Sequence, residues 1–220
     1  MSSSQTPRIE IELVVFDLGR VLVRTCDDWM QACESAGVKL TLSTLNAAKL
    51  SAMHEAVHKV ETAELSFDDF ATEVGELLGA SKDQIRNASA AFSLGLYEGV
   101  EPLLEELHHA GVATACLSNT NAHHWAFLAD ATHPSYFPLA KLKHHFASHL
   151  IQARKPAPAI YEYLERETRV AGPAILFFDD LKVNIDAANK RGWNGVWINA
   201  DLNDPLSQIR AALKQHQVLG

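Results

Sequence analysis

Three apolar runs along the chain end on side chains able to do chemistry, and a lysine lies between the second and third. Leu13-Val14-Val15-Phe16 ends on Asp17, followed by Leu18-Gly19-Arg20. Val112 to Leu117 ends on Ser118-Asn119-Thr120-Asn121. Ala174-Ile175-Leu176-Phe177-Phe178 ends on Asp179-Asp180, with Asn184 shortly after, and Lys155 sits in Arg154-Lys155-Pro156. A carboxylate at a strand tip is suited to be a nucleophile or a metal ligand. A hydroxyl, a lysine and the free N–H groups of a helix start suit an anion such as phosphate. Carboxylates brought together repel unless a cation lies among them, and hard oxygen ligands suit Mg²⁺. Any one of these residues alone reads equally well as a turn or a cap, so the chemistry depends on their convergence.

Convergence follows from the elements that carry them. A short β-branched run without alternation reads as a strand buried on both faces, as in parallel sheets. Strands are expected at about Ile11–Phe16, Val112–Leu117, Phe146–Ser148, Ala174–Phe178 and Gly195–Ile198. Helices are expected between them: from Glu101-Pro102 to Gly111, Ala122–Ala129, Pro158–Arg166, up to Lys190, and Leu206–Gln215. This alternation predicts an α/β fold with a doubly wound parallel, Rossmann-like sheet. In such sheets ligands bind beyond the carboxyl ends of the strands, which is where Asp17, Ser118, Asn119, Asp179 and Asp180 fall. Gly19 is expected where the backbone turns tightly or approaches a ligand closely.

Residues 25–96 break the alternation. They contain no proline and read as helices throughout. The expected spans are Asp28–Ala36, a second helix capped by Thr41 or Ser43 and running to about Thr62, a third capped by Ser66, and a fourth from Ser81 through Ser93. The predicted organisation is a core of residues 9–24 and 97–220 with a small helical domain, 25–96, inserted after the first strand. Hinges are expected near Val23-Arg24-Thr25 and from Leu96 to Gly99, and Trp29 and the inserted helices are placed to cover the site.

The chain has 220 residues, 47% hydrophobic and 21% charged, which is ordinary for a globular protein with ample core. A net charge of −8 argues against a nucleic-acid binder, which would carry a basic face. Three cysteines without redox-motif spacing supply no disulfide framework and suit a reducing compartment. No stretch is long and apolar enough to span a bilayer, and the polar Met1–Arg8 segment lacks a signal core. A cytoplasmic protein is expected, with no membrane or nucleic-acid partner. His54 and His58, one helical turn apart, read as an exposed face rather than a metal site. The doublets His108-His109, His123-His124 and His144-His145 point in divergent directions on any helix.

Taken in order, Phe16-Asp17-Leu18-Gly19, Leu117-Ser118-Asn119-Thr120-Asn121, Arg154-Lys155-Pro156 and Phe177-Phe178-Asp179-Asp180 with Asn184 resemble the four motifs of the haloacid dehalogenase-like superfamily. The strings are most similar to the branch holding bacterial α-D-glucose-1-phosphatase and the N-terminal phosphatase domain of soluble epoxide hydrolase. The resemblance implies that the helical insert is a cap domain. It implies that Asp17 attacks phosphorus to form an aspartyl-phosphate, and that Asp17, the Gly19 carbonyl and Asp180 bind Mg²⁺, with Asp179 and Asn184 in support. It implies that Ser118 and Lys155 hold the phosphate, helped by Asn119. Arg20 is open between a phosphate contact and a solvent-facing residue.

One departure stands out. Most phosphatases of the superfamily carry a second aspartate two residues after the nucleophile as proton donor, and Gly19 cannot transfer a proton. A leaving group of low pKa, such as an anomeric hydroxyl, would need less help. The expected activity is therefore Mg²⁺-dependent hydrolysis of a small phosphorylated metabolite, with a sugar phosphate favoured. The rivals are a metal-free 2-haloacid dehalogenase, a phosphomutase, and a non-catalytic binding protein that keeps the fold.

Overall fold

The structure is a computed structural model that describes residues 10–38 and 46–220. The expected caps Thr41 and Ser43, and the Ser-rich start of the chain, lie outside the described residues. In chain order the elements are β1 (Leu13–Phe16), β2 (Val23–Thr25), α1 (Trp29–Ser35), α2 (Ala47–Glu61), α3 (Phe67–Leu78), α4 (Lys82–Ala91), β3 (Ser93–Leu96) and α5 (Val100–His109). They continue with β4 (Ala113–Ser118), α6 (Ala122–Ala129), β5 (His144–Ala147), α7 (Ser148–Ile151), α8 (Pro158–Thr168), β6 (Ile175–Asp179), α9 (Lys182–Lys190), β7 (Asn194–Trp197) and α10 (Pro205–Gln215).

Five strands form a parallel sheet in the order β5-β4-β1-β6-β7, flanked by helices. β1 lies at its centre, and all four of its residues are fully buried. Val14 and Phe16 face one layer with Leu103, Leu104 and Leu107 of α5 and Ile209 and Leu213 of α10. Leu13 and Val15 face the other with Ile160 and Leu164 of α8 and Ile185 and Ala188 of α9. Two covered faces explain why the run lacks alternation. The doubly wound order puts β1, β4 and β6 side by side, so their carboxyl ends deliver Asp17, Ser118 and Asp179 to one crevice.

Helices α1 to α4 pack around a separate apolar cluster of Met53, Val60, Phe70, Val74, Leu78 and Ile85. Ser66 caps α3 by accepting from Asp69 N–H, and Ser81 caps α4 in a full capping box with Gln84. α2 is capped by Asn46, which accepts from Lys49 N–H. The fourth helix stops at Ala91 rather than running through Ser93, because Ser93–Leu96 pairs antiparallel with Val23–Thr25. The first segment expected as a hinge is thus a strand of a two-stranded ribbon at the base of the insert; of the second, residues 96–99, only Leu96 belongs to that ribbon and the rest is a turn. Ser148, expected to end a strand, opens the short α7. Among the described residues no helix is long and apolar enough to cross a membrane.

Candidate active site

Asp17 follows β1 directly, and its N–H donates to the Phe178 carbonyl at 2.8 Å. Lys155 reaches in from the loop before α8. Its Nζ lies 2.9 Å from Asp17 Oδ1 and 2.7 Å from Asp179 Oδ2, fully enclosed by protein. Burial alone would pull the lysine down, but the two carboxylates outweigh it and hold the ammonium well above its ordinary value. Burial pushes Asp17 up, with Asp179 and Asp180 adding to the effect and Lys155 opposing it.

Asp179 and Asp180 occupy different environments although adjacent. Asp179 is fully buried and saturated: besides Lys155, it accepts from Leu181 N–H at 2.8 Å and from Asn184 Nδ2 at 3.0 and 3.1 Å. Asp180 remains accessible at the crevice, its carboxyl raised to about 6 by burial and by Asp179. Ligand oxygens of Asp17, Asp179 and Asp180 lie within 4.8 Å of one another, the one cluster of metal-ligating type among the described residues. Three carboxylates face the buried Lys155 and the partly exposed Arg20 there. The remaining negative charge fits a divalent cation, with Asp17 and Asp180 as the accessible donors and Asp179 as the brace for Lys155.

Three expected residues behave differently from the reading of the sequence. Arg20 is partly exposed and pairs with two carboxylates. Its Nε is 3.5 Å from Asp180 Oδ2 and its Nη2 is 3.0 Å from Asp201 Oδ1. The left-handed backbone belongs to Arg20 (φ 59°), not to Gly19. A Cβ at position 19 would meet only Thr25 Cγ2, at an ordinary 3.7 Å, so neither strain nor crowding demands the glycine. Asn119 comes to the site as a brace: its Oδ1 accepts from Lys155 N–H at 2.8 Å and its Nδ2 donates to the Lys155 carbonyl at 3.0 Å. The start of α6 offers fewer free amides than expected, because Asn121 caps the N–H groups of His123 and His124 at 3.0 Å each and Ser148 Oγ takes Thr120 N–H at 2.9 Å.

Beside these groups lies a cavity of about 240 Å³ between sheet edge and insert. Gly19, Ser118 and Asn119 form its floor; Trp29, Val57, Val60, Phe70, Phe92 and Phe127 give it apolar walls. Among the described residues, two titratable groups line it, Glu61 and His124. Glu61 escaped the sequence reading because a glutamate at a helix end resembles any solvated residue. His124 Nε2 meets Ser89 Oγ at 2.7 Å and the Ser89 carbonyl at 3.0 Å, tying α6 to α4. Burial holds His124 down to about 4, from an ordinary 6.5, with His123 adding and the Ser89 carbonyl opposing.

The folded protein therefore resists protonating His124. The stability it contributes is complete above pH 6.5 and is lost as pH falls towards 4. Urea unfolding at pH 7 and pH 5 is expected to show His124→Gln losing about 2 kcal/mol less than wild type over that interval. Equal losses would contradict the assignment.

The fold and this crevice have counterparts among known proteins. The family model for haloacid dehalogenase-like hydrolases matches residues 11–192. A curated relative, (S)-2-haloacid dehalogenase 2 of Pseudomonas sp. (strain CBS-3), is 32% identical over 112 residues; the match covers 49% of this chain and 45% of that relative's length. A HAD family enzyme of Bacteroides thetaiotaomicron, solved in complex with magnesium and inorganic phosphate, superposes with a TM-score of 0.72 at 21% identity, covering 86% of this chain and 95% of its own. An L-2-haloacid dehalogenase of Xanthobacter autotrophicus with chloropropionic acid covalently bound superposes with a TM-score of 0.57 at 15% identity, covering 96% and 85%. With more than half of its length matched by the family model and its parallel sheet shared with these structures, the chain belongs to the haloacid dehalogenase-like hydrolases.

Proposed function

We propose that the chain is a Mg²⁺-dependent phosphatase that hydrolyses a small phosphate monoester through an aspartyl-phosphate on Asp17, with the helical insert as its cap. The observation that supports this reading is the excess of negative charge at the crevice, three carboxylates against the buried Lys155 and the partly exposed Arg20. Mg²⁺ held by Asp17, Asp180 and the Gly19 carbonyl would neutralise charge on the phosphate. Asp17 attacks phosphorus as the ester oxygen departs. Lys155, fixed by Asp179 and by both ends of the Asn119 amide, holds Asp17 in place and offers a cation to the phosphate oxygens. Ser118 Oγ at the cavity floor donates to the same oxygens. Water then cleaves the phosphate from Asp17. The apolar walls favour a compact organic group on the ester and lend no support to the expected sugar.

A second reading, dehalogenation by attack of Asp17 on carbon, is favoured by the curated relative. It leaves Asp180 without a task.

Arg20 competes for Asp180 in the phosphatase reading. Calorimetric titration of Arg20→Ala is expected to show Mg²⁺ bound about 5-fold more tightly than in wild type, the scale of one partly exposed ion pair. No Mg²⁺ binding by either protein would count against the phosphatase. Equal affinities would remove Arg20 from the metal site.

A further inference from the structure

Gly19 leaves the departing oxygen without a side-chain proton donor at that position, which an ester with a basic leaving group needs most. The missing group must reach the leaving-group side of Asp17, and the cavity beneath the insert, lined by the adjoining Leu18, Gly19 and Ser118, is the space from which it could do so. Of the two titratable groups that line it among the described residues, His124 is committed. Its Nε2 is engaged by both the hydroxyl and the carbonyl of Ser89, and burial disfavours its charged form.

Glu61 has a charge partner but no hydrogen-bond partner at its buried oxygen. It is the last residue of α2, and it lines the cavity from the insert. Oε2 lies 2.9 Å from Arg154 Nε, but the contact is one of charge only: neither atom has a hydrogen-bond partner. Arg154 adjoins Lys155 in sequence, so Glu61 stands over the catalytic loop. Burial raises its carboxyl above the ordinary range, with Arg154 and Lys155 opposing.

We infer that Glu61, presented by the insert, is the proton donor that replaces the absent side chain at position 19. The inference rests on the phosphatase reading above. In the first step Asp17 Oδ forms a bond to phosphorus, the bond from phosphorus to the ester oxygen breaks, and that oxygen takes the Glu61 proton and leaves as an alcohol. In the second step the Glu61 carboxylate takes a proton from water as its oxygen attacks phosphorus. The bond to Asp17 breaks, inorganic phosphate leaves, and both carboxyl groups return to their starting states. Closure of the insert over substrate would then assemble the donor together with the cavity.

The test is kcat/KM for a series of phosphate monoesters from p-nitrophenyl phosphate to simple alkyl phosphates, in wild type, Glu61→Gln and Arg154→Met. This parameter ends at departure of the alcohol. Wild type is expected to depend only shallowly on leaving-group pKa. Glu61→Gln is expected to lose about 3-fold on p-nitrophenyl phosphate and at least about 10²-fold on alkyl phosphates, the scale of general acid catalysis. It should also show a burst of p-nitrophenol as the second step slows. Arg154→Met removes the ion pair but keeps the carboxyl, so it should retain the shallow slope. Uniform loss across the series, no loss, or an Arg154→Met slope as steep as that of Glu61→Gln would overturn the proposal. Each of those outcomes leaves the phosphatase standing. A wild type inert towards every ester would instead overturn the phosphatase reading and the proposal with it.

Discussion

Asp17→Asn is expected to abolish turnover, by about 10⁴-fold or more, the scale seen when a covalent nucleophile is removed. The variant should remain folded. An amide at position 17 still accepts from Lys155 Nζ, and it relieves repulsion from Asp179 and Asp180, which together with burial raises the Asp17 carboxyl. The strand beneath is untouched, because Leu13 to Phe16 owe their burial to α5, α8, α9 and α10 rather than to the carboxylate. Rapid-quench analysis of wild type after brief exposure to substrate should find phosphate on the protein, and Asp17→Asn should show none. Turnover within about 10-fold of wild type would place the nucleophile elsewhere.

Lys155→Met is expected to cost stability as well as activity. The ammonium is buried between Asp17 and Asp179, 2.9 and 2.7 Å away, and among the described residues no other positive group pairs with either. Removing one member of a buried charge cluster leaves the others uncompensated, at about 3–5 kcal/mol. Urea unfolding measures this directly. Part of the loss should return on adding Mg²⁺, since a cation at the crevice would meet the same carboxylates. A stability change under about 1 kcal/mol would mean that the carboxylates take up protons and that the lysine does not organise the site.

The contrast between Lys155 and Arg20 shows what the sequence makes legible. Asp17, Ser118 and the Asp179-Asp180 pair each sit at an element boundary that local pattern defines, where an apolar run ends and a polar residue follows, and Lys155 lies in the Arg154-Lys155-Pro156 loop that opens a helix. The sheet brings boundaries together by topology alone, so their convergence is readable without knowing any contact. Arg20 pairs with Asp180 and Asp201 across 160 residues or more, and Asn119 spends its amide on the backbone of a residue 36 positions away. Such pairings are set by tertiary packing and leave no local trace. The ribbon of Val23–Thr25 with Ser93–Leu96 is of the same kind, since strands this short carry too little pattern to stand out from the helix before them. Glu61 is the extreme case. Its spacing on α2 is that of a surface residue, and only the docking of the insert turns it towards the cavity.

Gly19 illustrates the reverse error. A glycine after a strand end invites a conformational explanation, yet the positive φ belongs to Arg20 and position 19 has room for a side chain. The absent side chain is therefore a chemical feature of the site rather than a requirement of the backbone, which is why the source of the proton becomes a question at all.

The most direct measurement sets the two reactions of this crevice against each other. The wild-type protein is incubated with p-nitrophenyl phosphate and, separately, with 2-chloropropionate, each with Mg²⁺ and with EDTA, and phosphate and chloride are assayed. The account predicts phosphate release in Mg²⁺ alone and no chloride under either condition. Chloride release that EDTA leaves unchanged, with no phosphate released, would contradict it.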